Sequence, residues 1–307
     1  MDSLATCPNG TILDFSMLVD CWKAESAARL KRSTAAEYAA VAERRICPRL
    51  GALPAGDVGQ AEASKLIGGL NDAGLAPSTV RLAAPVLQSI LDYRGQCGIS
   101  AGAVKVSRPP KERTEARVLD ASEQAALEKH ILSLPDGAAL GVYICLHTGL
   151  RVGEICALQW RDVDAAAGTL TVRRTVQRIS ADGGTRLIVD APKSRSSRRT
   201  LPLSPKAAAL IRSRAGAPET CVVTGTAQPM DPRTMQNRFK RMLSGAGVAD
   251  ANFHALRHTF ATRCIERGCD PKTLSDILGH ADVSTTLNVY VHPSVERMRS
   301  CMALLDD

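Results

Sequence analysis

Three separated segments of this 307-residue chain hold side chains suited to work on one phosphodiester: residues 147–154 (His-Thr-Gly-Leu-Arg-Val-Gly-Glu), 254–258 (His-Ala-Leu-Arg-His) and 278–292 (Leu-Gly-His-Ala-Asp-Val-Ser-Thr-Thr-Leu-Asn-Val-Tyr-Val-His). In the first, a Gly-containing turn leads into a helix and puts Arg151 near its N-terminus, where free backbone N–H groups already favour an anion. Arg151 is a candidate phosphate clamp; a surface ion pair with Glu154 is the competing reading. In the second, His254 and Arg257 are three positions apart and share a helix face, which suits proton transfer beside charge neutralisation. His254 and His258 also have the spacing of a metal pair, but Ala255 stands where a zinc protease carries Glu, so the metal reading is the weaker. In the third, Gly279 lets the backbone turn sharply before His280, and Ser284 or Thr285 can cap a short helix that bears Tyr290. A lone tyrosine is more often a packing residue than a nucleophile. Tyr290, however, is one of four tyrosines in a chain with 3% aromatic residues, and it sits in a polar, His-rich stretch.

These segments need a scaffold, and the chain divides into two halves to supply it. Residues 15–99 show apolar residues at helical spacing, broken by turn signals at 48–51 and 74–77. Ser33-Thr34 predicts the cap of a helix over 34–46, and Ser78-Thr79 opens another that carries Val80, Leu82, Val86, Leu87, Ile90 and Leu91. Four or five helices without strands make a small bundle, whose Lys23, Arg29, Lys31, Arg32 and Arg81 either face phosphates or form a solvated surface. Residues 105–117 are polar and charged and include consecutive prolines, as in an extended linker. We therefore expect a helical domain over 12–103, a linker over 104–117 and a second domain over 118–307. In the second half a helix begins near Ser122-Glu123 and an apolar helix runs through 140–146. Two β-prone runs, 169–172 and 185–189, flank the hairpin signal Asp182-Gly183-Gly184, and a third strand falls at 199–203. Helices resume from Ser204, so the fold class is mainly α with a small antiparallel β-sheet, an α+β domain following a helical one.

Length and composition agree with two independent cores, since domains usually run to about 100–200 residues. Hydrophobic residues make up 45% of the chain and charged residues 23%, and no apolar run approaches the roughly 18 residues of a membrane span, so no membrane association is expected. The N-terminus lacks a basic segment followed by an apolar core, which argues against secretion and for the cytoplasm. The ten cysteines are scattered without a Cys-x-x-Cys pair and read as reduced, small apolar residues. A net charge of +8 favours a polyanionic partner.

Taken together, the three segments resemble the tyrosine recombinase, or phage integrase, family, most closely integrases of mobile elements. That family's pattern is an Arg in a Thr-Gly-Leu-Arg-x-Gly-Glu segment, a Lys in a β-hairpin turn, His-x-x-Arg, Leu-Gly-His, and a Tyr nine or ten residues beyond that His. Arg151, Lys193, His254, Arg257, His280 and Tyr290 match it in order, with Tyr290 ten positions after His280. Residues 192–203, Pro-Lys-Ser-Arg-Ser-Ser-Arg-Arg-Thr-Leu-Pro-Leu, look like the family's lysine turn and next strand. The N-terminal bundle is similar, more loosely, to the family's core-binding domain.

The resemblance implies a phosphoryl transfer in which Tyr290 attacks phosphorus, His254 acts as base, Arg151 and Arg257 clamp the non-bridging oxygens, His280 adds a hydrogen bond and Lys193 protonates the leaving 5′ oxygen. The product would be a 3′-phosphotyrosyl linkage, made with no ATP, metal or other cofactor. Arg195 and Arg198, with Lys31, Arg32 and Arg81, are expected contacts to the DNA backbone. The implied partners are double-stranded attachment-site DNA and three further protomers, in a synapse that passes through a Holliday junction at the nucleoid, with room for an accessory DNA-bending factor. The tail 291–307, with Val295, Met298, Met302 and Leu305 on one helical face, either docks on a neighbouring protomer or packs within its own. Many integrases carry a further arm-binding domain ahead of the bundle; only about a dozen residues precede the first helix here, so its absence or removal is expected. Two other readings are a DNA-binding regulator that no longer cuts and a type IB topoisomerase.

Overall fold

A computed structural model describes residues 14–99, 102–110, 117–181, 184–191 and 197–290, with 298–299 and 302–303. The chain gathers into two compact units, one running to residue 114 and the other built from 115 onward apart from the hairpin tip 179–186.

The first unit contains α1 (Phe15–Arg29), α2 (Arg32–Val41), a π-turn (Ala42–Ile46) that runs on into α3 (Cys47–Leu50), α4 (Gln60–Asp72) and α5 (Pro77–Gln96). Phe15, Trp22, Ile46, Leu66, Leu70, Leu87 and Ile90 are buried together at its centre. α2 begins at Arg32, two residues ahead of the expected helix start at 34, because only the extended Leu30 and Lys31 separate it from α1 and the chain re-enters a helix at once. Pro77 opens α5, its fixed φ suiting the first helical position. The buried Arg94 donates to the carbonyls of Ala55 (3.0 Å) and Val58 (2.6 Å), tying α5 to the loop before α4.

Part of the expected linker is anchored. Gln60 exchanges two hydrogen bonds with the Lys105 backbone (2.9 and 3.2 Å), Gln88 bonds the backbone of Val104 and Val106 (3.1 and 2.8 Å), and Arg81 donates to the Pro109 carbonyl. Side-chain amides stand in for a partner strand, so this extended stretch satisfies backbone groups without a sheet.

The second unit runs α6 (Ala121–Leu132), α7 (Gly137–Thr148), α8 (Val152–Cys156), a short 3₁₀ turn (Trp160–Asp162), β1 (Val163–Asp164), β2 (Thr169–Val172), β3 (Thr175–Ala181), β4 (Gly184–Asp190), β5 (Arg199–Pro202), α9 (Pro205–Ser213), α10 (Pro232–Gly245), α11 (His254–Glu266), α12 (Pro271–Leu278) and α13 (Val283–Tyr290). Residues 138–146 of α7 are buried without a break, as in a helix that is apolar all round and surrounded by others. The start of α6 lies at Asp120, whose carboxylate accepts from the N–H groups of Ser122 and Glu123 (2.8 and 2.9 Å), rather than at Ser122-Glu123.

The strand pairing corrects the sequence expectation. The run 185–189 lies in β4, but its hairpin partner is β3, not 169–172. Instead β2 lies between β1 and β5, antiparallel to both, with Leu170 opposite Leu201. A short hairpin joins the strands nearest its turn in sequence, and the Thr-Val-Gln-Arg-Ile-Ser-Ala run of β3 is the nearer. Among the described residues no helix is long and apolar enough to cross a membrane, and no disulfide bond is found. Burial pushes the thiols of Cys145 and Cys156 up, so they stay protonated.

Candidate active site

α7 ends at Gly149, whose left-handed φ of +66° turns the chain toward Arg151. A Cβ there would lie 2.7 Å from the Phe260 ring and 2.8 Å from Leu278, so both the conformation and the close approach require glycine. Arg151 precedes α8 in an extended conformation. Its backbone N–H donates to one Glu154 oxygen (3.0 Å), while its guanidinium donates to the other (2.9 Å) and to the Gly279 carbonyl (3.2 Å). The Arg151–Glu154 pair therefore exists, but it is no ordinary surface pair. Glu154 is 4% exposed and also receives two bonds from Arg199, each 3.1 Å. Burial by itself would raise the Glu154 carboxyl; Arg199 and Arg151 more than offset it and hold the group ionised. One carboxylate thus aims one arginine and neutralises part of a cationic cluster.

Arg199 escaped the sequence reading, although a signal for it was there. Successive strand residues face opposite sides, so of Arg198 and Arg199 only Arg199 shares a face with the buried Leu201. Arg198 is exposed.

α11 presents His254, Arg257 and His258 from its first two turns. Arg257 is 1% exposed and donates to the carbonyls of Gly149 and Leu278, each 2.9 Å away, so it fastens the end of α7 to the end of α12. Burial, with Arg151 beside it, presses its pKa down to about 9, which still leaves it charged at neutral pH. Gly279 (φ +68°) then reverses the chain into His280, whose Nδ1 lies 2.8 Å from the buried Thr286 hydroxyl. The cap of α13 is Asp282, which accepts from the Ser284 N–H at 2.8 Å, rather than Ser284 or Thr285. A carboxylate placed one residue before a helix is the stronger acceptor for its first free N–H groups.

Tyr290 ends α13 with its ring in an apolar cluster that includes Ala261, Ile265, Leu274 and Leu278. Its hydroxyl is 2.9 Å from His258 Nδ1, and the two ring centres are 5.6 Å apart. Burial raises the phenol pKa, while Arg257 and Arg151 pull it the other way. His254 meets His258 edge to face at 4.6 Å; among the described residues no three potential metal-ligating side chains gather as a set. Beside His254 opens a cleft of about 320 Å³ lined by Arg233, Gln236 and Lys240 of α10, basic and amide groups that no sequence motif marked.

Five of the six expected catalytic side chains thus gather about Arg257, two of them, Arg151 and Arg257, on the Gly149, Leu278 and Gly279 carbonyls. The sixth, Lys193, and the expected DNA contact Arg195 lie outside the described residues. In the first unit Lys31 and Arg32 are exposed, and Arg81 is half-buried against the main chain.

The histidines carry a stability signature. Loss of hydration, with Arg257 and Arg151 nearby and His258 beside His254, lowers His254 and His280 from 6.5 to about 4, although His254 keeps an outer edge open to solvent. Between those values the unfolded chain binds protons that the folded chain refuses. Their contribution is therefore complete above pH 6.5 and drains away as the pH falls toward 4. We expect a His254→Gln/His280→Gln double variant to lose less of its urea midpoint between pH 7 and pH 5 than the parent; equal losses would contradict this assignment.

The phage integrase family model matches residues 112–297. A XerC-like tyrosine recombinase of Caldanaerobacter subterraneus subsp. tengcongensis is 29% identical over 226 residues, covering 64% of this chain and 56% of that protein. The chain spans 56% and 65% of the length of the first curated relatives it matches. Among solved structures, the Tn1549 transposon integrase in complex with transposon right end DNA is 22% identical with a TM-score of 0.75, covering 96% of this chain and all of that one. A lambda integrase tetramer bound to a Holliday junction is 21% identical with a TM-score of 0.68, covering 93% and 80%. These two share the fold. With a family match over more than half its length, and with Arg151, Arg257, His254, His280 and Tyr290 gathered in one unit, this chain belongs to the phage integrase family.

Proposed function

We propose that the chain is a site-specific DNA recombinase that cuts and rejoins strands through a 3′-phosphotyrosyl bond to Tyr290. The observation that carries this reading is a phenol 8% exposed beside two guanidiniums, Arg257 and Arg151, which offset part of the rise that burial gives its pKa and are each already anchored to backbone carbonyls. Anchored donors lose little on reorganisation when charge builds on the phosphate oxygens, which is where such groups act most strongly. His254 and His280, neutral at pH 7, stand beside them as donors or acceptors toward the same oxygens. Lys193 protonates the departing 5′ oxygen. The new ester conserves the phosphodiester's energy, so rejoining needs no nucleotide.

The domains act as a helical DNA-binding unit over 12–103, a linker over 104–117 and the catalytic unit over 118–307. Lys31, Arg32, Arg81, Arg195 and Arg198, with Arg233 and Lys240 in the cleft beside His254, face DNA phosphates. Four protomers assemble on two attachment sites at the nucleoid, in the cytoplasm, exchange tails after Tyr290 and pass through a Holliday junction; a DNA-bending factor assists. The element served is mobile, as its integrase-like motif spacing suggests.

The test is a nicked half-site duplex built from repeats that flank the gene. The full chain should become covalently attached, giving a band that survives denaturation. Binding without attachment would make the protein a regulator instead. Affinity should fall steeply with added salt as phosphate contacts release counterions. A flat salt dependence would count against DNA clamping.

A further inference from the structure

We propose that His258, one turn beyond His254 on α11, takes the phenolic proton of Tyr290 during strand cleavage. The inference rests on the recombinase reading and reassigns one step within it. The six-residue family pattern leaves His258 out, and the resemblance gave the base role to His254. Geometry points elsewhere: the Tyr290 hydroxyl is 2.9 Å from His258 Nδ1, an ordinary hydrogen-bond length, whereas the His254 ring meets the His258 ring edge to face at 4.6 Å and makes no hydrogen bond to the phenol.

A base must be uncharged before it acts. Burial and the neighbouring Arg257 lower the His258 pKa, so the ring is neutral at pH 7. With the ring proton on Nε2, Nδ1 is a bare acceptor facing the hydroxyl. As the Tyr290 oxygen bonds to phosphorus, its proton passes to Nδ1; the bond from phosphorus to the 5′ oxygen breaks, and that oxygen takes a proton from Lys193. Rejoining reverses each transfer. The imidazolium stands next to Arg257, which disfavours its charge and so promotes return of the proton when the phenol leaves. His254 and its open edge remain available to the phosphate oxygens.

The deciding comparison uses two nicked duplexes of one sequence, one with the natural 5′ oxygen at the scissile position and one with a bridging 5′ sulfur, a leaving group that needs no proton. His258→Gln keeps a hydrogen-bond acceptor but cannot take the proton. It should form the adduct about 100-fold more slowly on both duplexes, the lower end of what a lost general base costs. Lys193→Ala should recover on the sulfur duplex alone. His258→Gln within a few-fold of the parent, or restored by sulfur, would overturn the proposal. If His258→Gln melts early, His258→Ala with added imidazole decides: faster adduct formation supports the assignment and an unchanged rate rejects it. Should the parent chain form no adduct on either duplex, the recombinase reading fails instead, a separately visible result.

Discussion

Tyr290→Phe will leave no covalent protein–DNA adduct on the nicked duplex while binding the uncut duplex within a few-fold of the parent. The change removes one oxygen. The ring stays seated among Ala261, Ile265, Leu274 and Leu278, and what is lost in folding is mainly the bond to His258, worth about 1 kcal/mol. Affinity comes from many phosphate contacts and owes little to one phenol. On the proposed mechanism, cleavage loses its nucleophile, so the expected effect on attachment is complete. Gel analysis after denaturation reads the adduct, and a filter or mobility assay reads binding. An adduct that persists in Tyr290→Phe would mean that another side chain attacks the DNA.

Arg257→Ala should show the second-largest effect, and it should strike both rate and stability. Removing a donor to developing phosphate charge lowers cleavage by roughly 10²–10³. The same guanidinium is also buried and fills the hydrogen-bonding needs of the Gly149 and Leu278 carbonyls, so its loss strands two acceptors and costs about 2–4 kcal/mol of folding. Arg151→Ala makes the contrast. Arg151 is half-exposed, and its partner Glu154 keeps two bonds from Arg199 when Arg151 is gone, so cleavage should fall as far while the melting temperature moves much less. Arg257→Lys separates the two roles: it restores a charge but not the planar fork that reaches both carbonyls and the phosphate, and so should remain slow even when folded. Single-turnover cleavage with thermal denaturation checks all three. Equal melting losses for Arg151→Ala and Arg257→Ala would refute the anchoring role of Arg257.

Much of the scaffold was legible because it depends on local rules. Helical periodicity marked α5, the uninterrupted apolar run marked α7, and the glycines of Thr-Gly-Leu-Arg and Leu-Gly-His marked the two left-handed turns at Gly149 and Gly279. Errors came where two local signals competed. The Ser33-Thr34 cap gave way to a two-residue connection, and Asp282 outbid the hydroxyls that follow it. The partner of 169–172 went to a strand about thirty residues away, because strand propensity says which segments extend and nothing of whom they pair with.

By itself the sequence determined where the candidate groups stand along their own elements: Arg151 at a helix start, His254 and Arg257 one turn apart, Tyr290 on a short helix behind a glycine turn. Only the tertiary structure decided who touches whom across 21 to 128 positions: Arg257 on Gly149 and Leu278, Arg151 on Gly279, Arg199 on Glu154, and the phenol on His258 rather than His254. The reason is physical. Spacing along one helix fixes relative directions through the backbone's own geometry, whereas the distance between two helices is set by the close packing of every side chain between them.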